Sequence, residues 1–175
     1  MKVTQIPFEK TGFFSKTMLD YIGKKETLKP FYNNFPDIEG FKKQIEEKQI
    51  SFTLDTRSIL SEALKNQYTA FDTSEKTALN IASLKETNTF TITTGHQLNL
   101  FTGPLYFLYK IFSTINLAEE LTEKFPEQNF VPVYWMATED HDFDEINYFN
   151  FDGKKVSWNR KDGGAVGRFS TEGLA

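Results

Sequence analysis

Between Phe90 and Met136 the hydrophobic pattern changes period twice, from a short β-branched run to a long helical repeat and back to a short apolar run. Phe90 and Ile92, with threonines around them, read as a strand. Gly103 followed by Pro104 suits a helix start, and a helix is expected from Pro104 to about Lys124. Its inward side is expected to carry Leu105, Leu108, Tyr109, Phe112 and Ile115. Phe130 to Met136 is nearly all apolar, as a strand is when helices cover both faces of a parallel sheet. The pattern is a βαβ unit, so the expected class is α/β with a parallel sheet. Tyr148 to Arg160 then reads as a hairpin turned by Asp152 and Gly153. One βαβ unit does not complete a doubly wound sheet, and the tail KDGGAVGRFSTEGLA brings no closing element, so further polypeptide is expected downstream.

Upstream the pattern is helical. Ser15 is placed to cap a helix ended by Gly23, and Asp37 one with Ile38, Phe41 and Ile45 on its apolar side. Asp55 introduces a third with Ile59, Leu60, Ala63 and Leu64 as its stripe, and Ser74 a fourth with Ala78, Leu79, Ile81 and Ala82. The change of character at Thr87 and Asn88 sets an expected division. Residues 1–88 form a mainly helical segment packing on the core, and residues 89–175 the first part of the sheet domain.

Composition removes several function classes. Twenty Lys and Arg against 24 Asp and Glu leave a net charge of −4, without the broad basic surface that nucleic acid requires. With no cysteine there is no disulfide, thiolate nucleophile or thiolate metal site. No run of 18 apolar residues suggests a membrane span, and MKVTQIPFEK lacks the apolar stretch of a signal peptide, so a cytoplasmic location is expected.

Two polar clusters fall where the strands of the βαβ unit end, the edge at which open parallel sheets bind ligands. The first is Thr93, Thr94, Gly95, His96 and Gln97, with Thr102, Gly103, Pro104 and Tyr106 at the helix start. Free N–H groups in that first turn suit a carboxylate or phosphate. The loop has no lysine and is not a Walker phosphate loop. A plain tight turn built on Gly95 and Gly103 fits the same residues. The second cluster, Glu139, Asp140, His141, Asp142, Asp144 and Glu145, follows an apolar strand directly. Crowded carboxylates suit a general acid or base, an ammonium site or a metal, and a solvated charge run is the alternative. A calcium loop is excluded, because its sixth position is Glu145 instead of Gly and its twelfth is Phe151 instead of Glu. No second histidine stands at zinc-ligand spacing, and no metal is assigned.

Two strings, TTGHQLNLFTGPLYFLYK (Thr93 to Lys110) and VPVYWMATEDHDFDEIN (Val131 to Asn147), resemble the bacillithiol biosynthesis cysteine-adding enzymes. The resemblance covers most of Thr89 to Trp158 and, loosely, the helical first half. It implies a Rossmann-like core related to class I nucleotidyl transferases, a C-terminal coiled coil that makes a homodimer, and addition of cysteine to glucosaminyl malate. It makes His96, Asp140, His141 and Asp142 the catalytic candidates, with Asp140, His141 and Asp142 lining an amine pocket. Thr94, Gly95, Gln97, Thr102, Gly103, Tyr106, Glu139 and Asp144 are the substrate-binding candidates. ATP is a candidate cosubstrate by fold analogy alone, since the H-x-G-H sequence of the synthetase relatives is reduced here to Gly95 and His96, with Thr93 in the place of the first histidine. Two other classes fit the same residues: a non-catalytic nucleotide or carboxylate binding domain, and a metal-assisted hydrolase using His96, Asp140, His141 and Asp144.

Overall fold

The computed structural model describes residues 4–161 and 163–174, the side chain of Thr102 excepted. The chain divides into two compact units, Met1–Thr53 and Leu54–Ala175. The change of sequence character at Thr87 therefore falls inside the second unit, which takes in the two helices ahead of the sheet.

In the first unit, α1 (Lys16–Ile22) starts where the Ser15 hydroxyl accepts the Met18 N–H and stops at Gly23. A 3-10 segment, Glu26–Phe31, leads toward α2 (Ile38–Ser51), capped by the Asp37 carboxylate accepting from the Gly40 N–H. The Lys24 ammonium, and after it that backbone bond, hold the Asp37 carboxyl below its ordinary pKa. The rings of Tyr21, Tyr32 and Phe35 pack together at 5.2–6.1 Å, and Ile45 is buried. Residue 40 has to be glycine, since a Cβ there would lie 1.8 Å from the Phe35 carbonyl oxygen.

The second unit begins with α3 (Leu54–Tyr68) and α4 (Glu75–Ser83), the latter capped by Ser74 on the Thr77 N–H. Next come β1 (Thr89–Gly95), a 3-10 turn (Leu100–Thr102), α5 (Leu105–Lys124) and β2 (Asn129–Trp135). The strands pair in parallel from Thr89↔Asn129 to Gly95↔Trp135, which makes β1–α5–β2 the expected crossover unit. A short α6 (Phe143–Ile146) precedes the hairpin of β3 (Tyr148–Phe151) and β4 (Lys154–Ser157). Its turn residues Asp152 and Gly153 both have positive φ, as a two-residue hairpin loop of type I′ requires. Leu84, Phe90, Ala118, Leu121, Phe130 and Val131 are buried. Among the described residues no helix is long and apolar enough to cross a membrane.

Two helix faces differ from expectation. On α5 the buried residues are Thr114, Ala118 and Leu121, with Phe107 and Ile111 half-buried on the same side. Leu105, Tyr109 and Phe112, expected to face inward, are 58–65% exposed. The first half of the helix is apolar nearly all round, so its periodicity fits either side. On α3 the buried pair is polar. Ser61 donates to the Ile81 carbonyl (2.9 Å), and the Arg57 guanidinium donates to the carbonyls of Glu86 and Thr89 (2.8 and 2.7 Å), with longer bonds to those of Thr87 and Leu84. Ile59, expected in the apolar stripe, is exposed, because hydropathy counts do not register a polar side chain that is buried by satisfying backbone carbonyls.

Candidate functional site

Both strands leave the sheet at one edge, where Gly95 pairs with Trp135 and the His96 N–H donates to the Trp135 carbonyl (3.1 Å). Gly95 permits this approach, since a Cβ would come within 2.8 Å of that carbonyl oxygen. Each departing loop holds a non-glycine residue in the left-handed region, Phe101 (φ 48°) after β1 and Ala137 (φ 42°) after β2. Such conformations concentrate at functional sites, where the surroundings hold them in place.

The loop after β1, the first turn of α5 and α6 meet through side chains. Nε2 of His96 lies 2.6 Å from the Tyr106 hydroxyl and 3.3 Å from Oε1 of Glu145. The amide nitrogen of Asn99 contacts Nδ1 of His96 and the Gln97 carbonyl, each at 3.0 Å. Gln97, buried at 2% exposure, donates to Oε2 of Glu145 (2.5 Å) and to the Asp142 carbonyl (3.1 Å). Lys110 donates to the Gly95 carbonyl (3.2 Å) and Tyr134 to that of His96 (3.3 Å). Burial, and after it the Glu145 charge, push the Tyr106 phenol above its ordinary pKa, so it stays a hydroxyl donor at neutral pH. Burial does the same for Tyr134. Gly103 (φ 61°, ψ −153°) occupies a region nearly exclusive to glycine, and a Cβ would strike the Asn99 side chain at 2.6 Å.

The remaining candidates lie at the same edge with fewer ties. Asp140 accepts the His141 N–H on its carboxylate (2.7 Å) and the Val166 N–H on its carbonyl (2.8 Å). The His141 side chain is 83% exposed. Glu139 accepts from the Trp135 indole (3.3 Å), Asp142 stands at the N-cap of α6, and Asp144 lies in its first turn. Thr94 is half-buried in β1, and the side chain of Thr102 lies outside the described residues. The His96 imidazole thus meets Glu145 and Tyr106. Among the described residues no three His, Asp or Glu side chains are grouped to hold a metal ion. Sequence reasoning counted Glu145 among the carboxylates without giving it a role, and passed over Asn99, Lys110 and Tyr134. The spacing of Asn99 three residues after His96 was an available signal; the 48-residue gap from Gln97 to Glu145 left none.

Known proteins agree with this architecture. The family described as bacillithiol biosynthesis BshC, N-terminal Rossmann-like domain, matches residues 1–175. A protein of Flavobacterium psychrophilum named "Putative cysteine ligase BshC" is 64% identical over 170 residues, 97% of this chain and 32% of its own length. Proteins of the same name from Flavobacterium johnsoniae and Christiangramia forsetii are 60% and 54% identical, over 97% and 99% of this chain and 32% and 33% of theirs. The chain thus spans about a third of the length of these curated relatives. By the match over its whole length, the chain belongs to the BshC family of bacillithiol biosynthesis, as its N-terminal Rossmann-like domain.

Proposed function

We propose that this chain is the N-terminal part of a carbon–nitrogen ligase that joins the carboxyl group of cysteine to the amine of glucosaminyl malate, the last step of bacillithiol synthesis. The observation that carries the reading is the cluster of His96, Gln97, Tyr106 and Glu145 at the edge where both parallel strands end. Asp140, His141 and Asp142 border the same edge and complete an acidic wall suited to an amine. The described residues fit a triphosphate poorly here: Lys110 is engaged by the Gly95 carbonyl, and Glu145 sets a negative charge beside the start of α5. ATP, as acyl-activating cosubstrate, is therefore given no step at this cluster. The nucleotidyl-transferase kinship, the coiled coil and the homodimer belong to the same proposal, and the last two would reside in the part of the relatives beyond the matched third.

The test is the full-length protein incubated with cysteine, glucosaminyl malate and ATP, with bacillithiol followed by mass spectrometry, alongside complementation of a strain lacking the enzyme. Bacillithiol is expected, and Asp140→Asn is expected to abolish it. A folded full-length protein that leaves cysteine unchanged and fails to complement the strain refutes the ligase reading.

A further inference from the structure

The direction of some hydrogen bonds at this edge follows from groups that have no choice. The Gln97 carbonyl only accepts, so the Asn99 amide must turn its nitrogen there. The same nitrogen lies 3.0 Å from Nδ1 of His96, which is also 3.0 Å from the Gln97 carbonyl. Nε2 of the same ring faces the Tyr106 oxygen (2.6 Å) and Oε1 of Glu145 (3.3 Å). Tyr106 directs its own hydrogen toward Oε1 (3.5 Å), and Gln97 binds Oε2 from the other side. Gln97 and Tyr106 thus both direct a donor to the one carboxylate, and both imidazole nitrogens have close polar neighbours.

Exposure separates the two titratable partners. The His96 side chain is 9% exposed and that of Glu145 is 47% exposed. Among the described residues no lysine or arginine pairs with Glu145, and Lys110 of the same edge is turned to the Gly95 carbonyl. A carboxylate oriented by its neighbours, open to solvent and without a lysine or arginine of its own is a seat for a cation from outside. With no grouped metal ligands, a primary ammonium is the chemistry that fits, since it brings three N–H donors and a full charge.

We propose that Glu145 binds the primary ammonium group of the substrate at this edge, held in place for it by Gln97 and Tyr106. The inference rests on the reading of this edge as the ligase's substrate site. It places the direct amine contact beside the acidic wall of Asp140–Asp142, at a carboxylate that three other side chains hold in place.

Calorimetry on the full-length protein with glucosaminyl malate, and with the same conjugate acetylated on its nitrogen, tests the assignment without turnover. The wild type is expected to bind the free amine about tenfold more tightly or better, as a charged hydrogen bond does. Glu145→Gln should erase that preference by weakening the amine alone, and Glu145→Asp should keep part of it. Tyr106→Phe, which removes only the hydroxyl between His96 and Glu145, should weaken the amine severalfold and spare the acetylated conjugate. A folded Glu145→Gln that keeps the preference, or a Tyr106→Phe without effect, overturns the inference. Equal binding of both conjugates by the wild type also overturns it, while leaving the ligase reading intact if bacillithiol forms. Binding of neither conjugate, with no bacillithiol made, removes both.

Discussion

The two edges of the β1–β2 pair use the same device to different ends. At the edge where the strands begin, Arg57 reaches from α3 and spends its guanidinium on the carbonyls of Leu84, Glu86, Thr87 and Thr89, all of it buried. At the edge where they end, Gln97, His96 and Tyr106 converge on Glu145, and that carboxylate stays half open to solvent. A polar side chain whose partners all lie inside the protein contributes stability. One whose neighbours all point the same way, with its remaining valence open to solvent, is prepared for something else.

The sharpest way to break this comparison is Arg57→Ala. It takes the guanidinium donor from the buried carbonyls of Leu84 and Thr89 and should cost about 3 kcal/mol, seen as lost amide-exchange protection at Phe90 and Val131. Protection left intact would mean that the closed edge is held by apolar packing alone. Gly103→Ala comes next. The backbone conformation there costs about 1–3 kcal/mol for a residue with a side chain, and the displaced Asn99 should release His96, so amine affinity and unfolding midpoint fall together. Tyr106→Phe should change stability by about 1 kcal/mol or less while its effect on ligand binding persists, which separates the open edge from the closed one. The smallest expected effect on folding is that of Asp140→Asn, within about 0.5 kcal/mol by urea unfolding. A larger loss would make the acidic turn a structural element like the Arg57 edge.

What could be read in advance was what is local. Ser15, Asp37 and Ser74 cap their helices because the side-chain oxygen and the N–H it satisfies are three residues apart. The βαβ order and the Asp152–Gly153 turn were legible for the same reason: period and turn chemistry are short-range. The buried side of α5 was not, because Leu105, Leu108, Tyr109 and Phe112 are as apolar as the residues that pack on the sheet, and only tertiary contact chooses between the faces. Arg57 was unreadable because a charge normally signals solvent. The region of the site was visible in TTGHQ and in the acidic run, but its wiring was not. Tyr106 and Glu145 come together only once α5 has carried the chain back across the sheet.

That return trip has a kinetic side. The strand partners Thr89 and Asn129 are 40 residues apart, so their pairing closes a loop whose entropy is worth about 3 kcal/mol before any ladder bond forms. The 20 residues of α5, by contrast, make their backbone bonds with near neighbours. The helix should therefore form early and shorten the search, with the sheet condensing on it afterwards. Mutations at Ala118 or Leu121 would then slow folding, whereas those at His96 or Glu145, joined only after the strands have met, would leave the folding rate almost untouched.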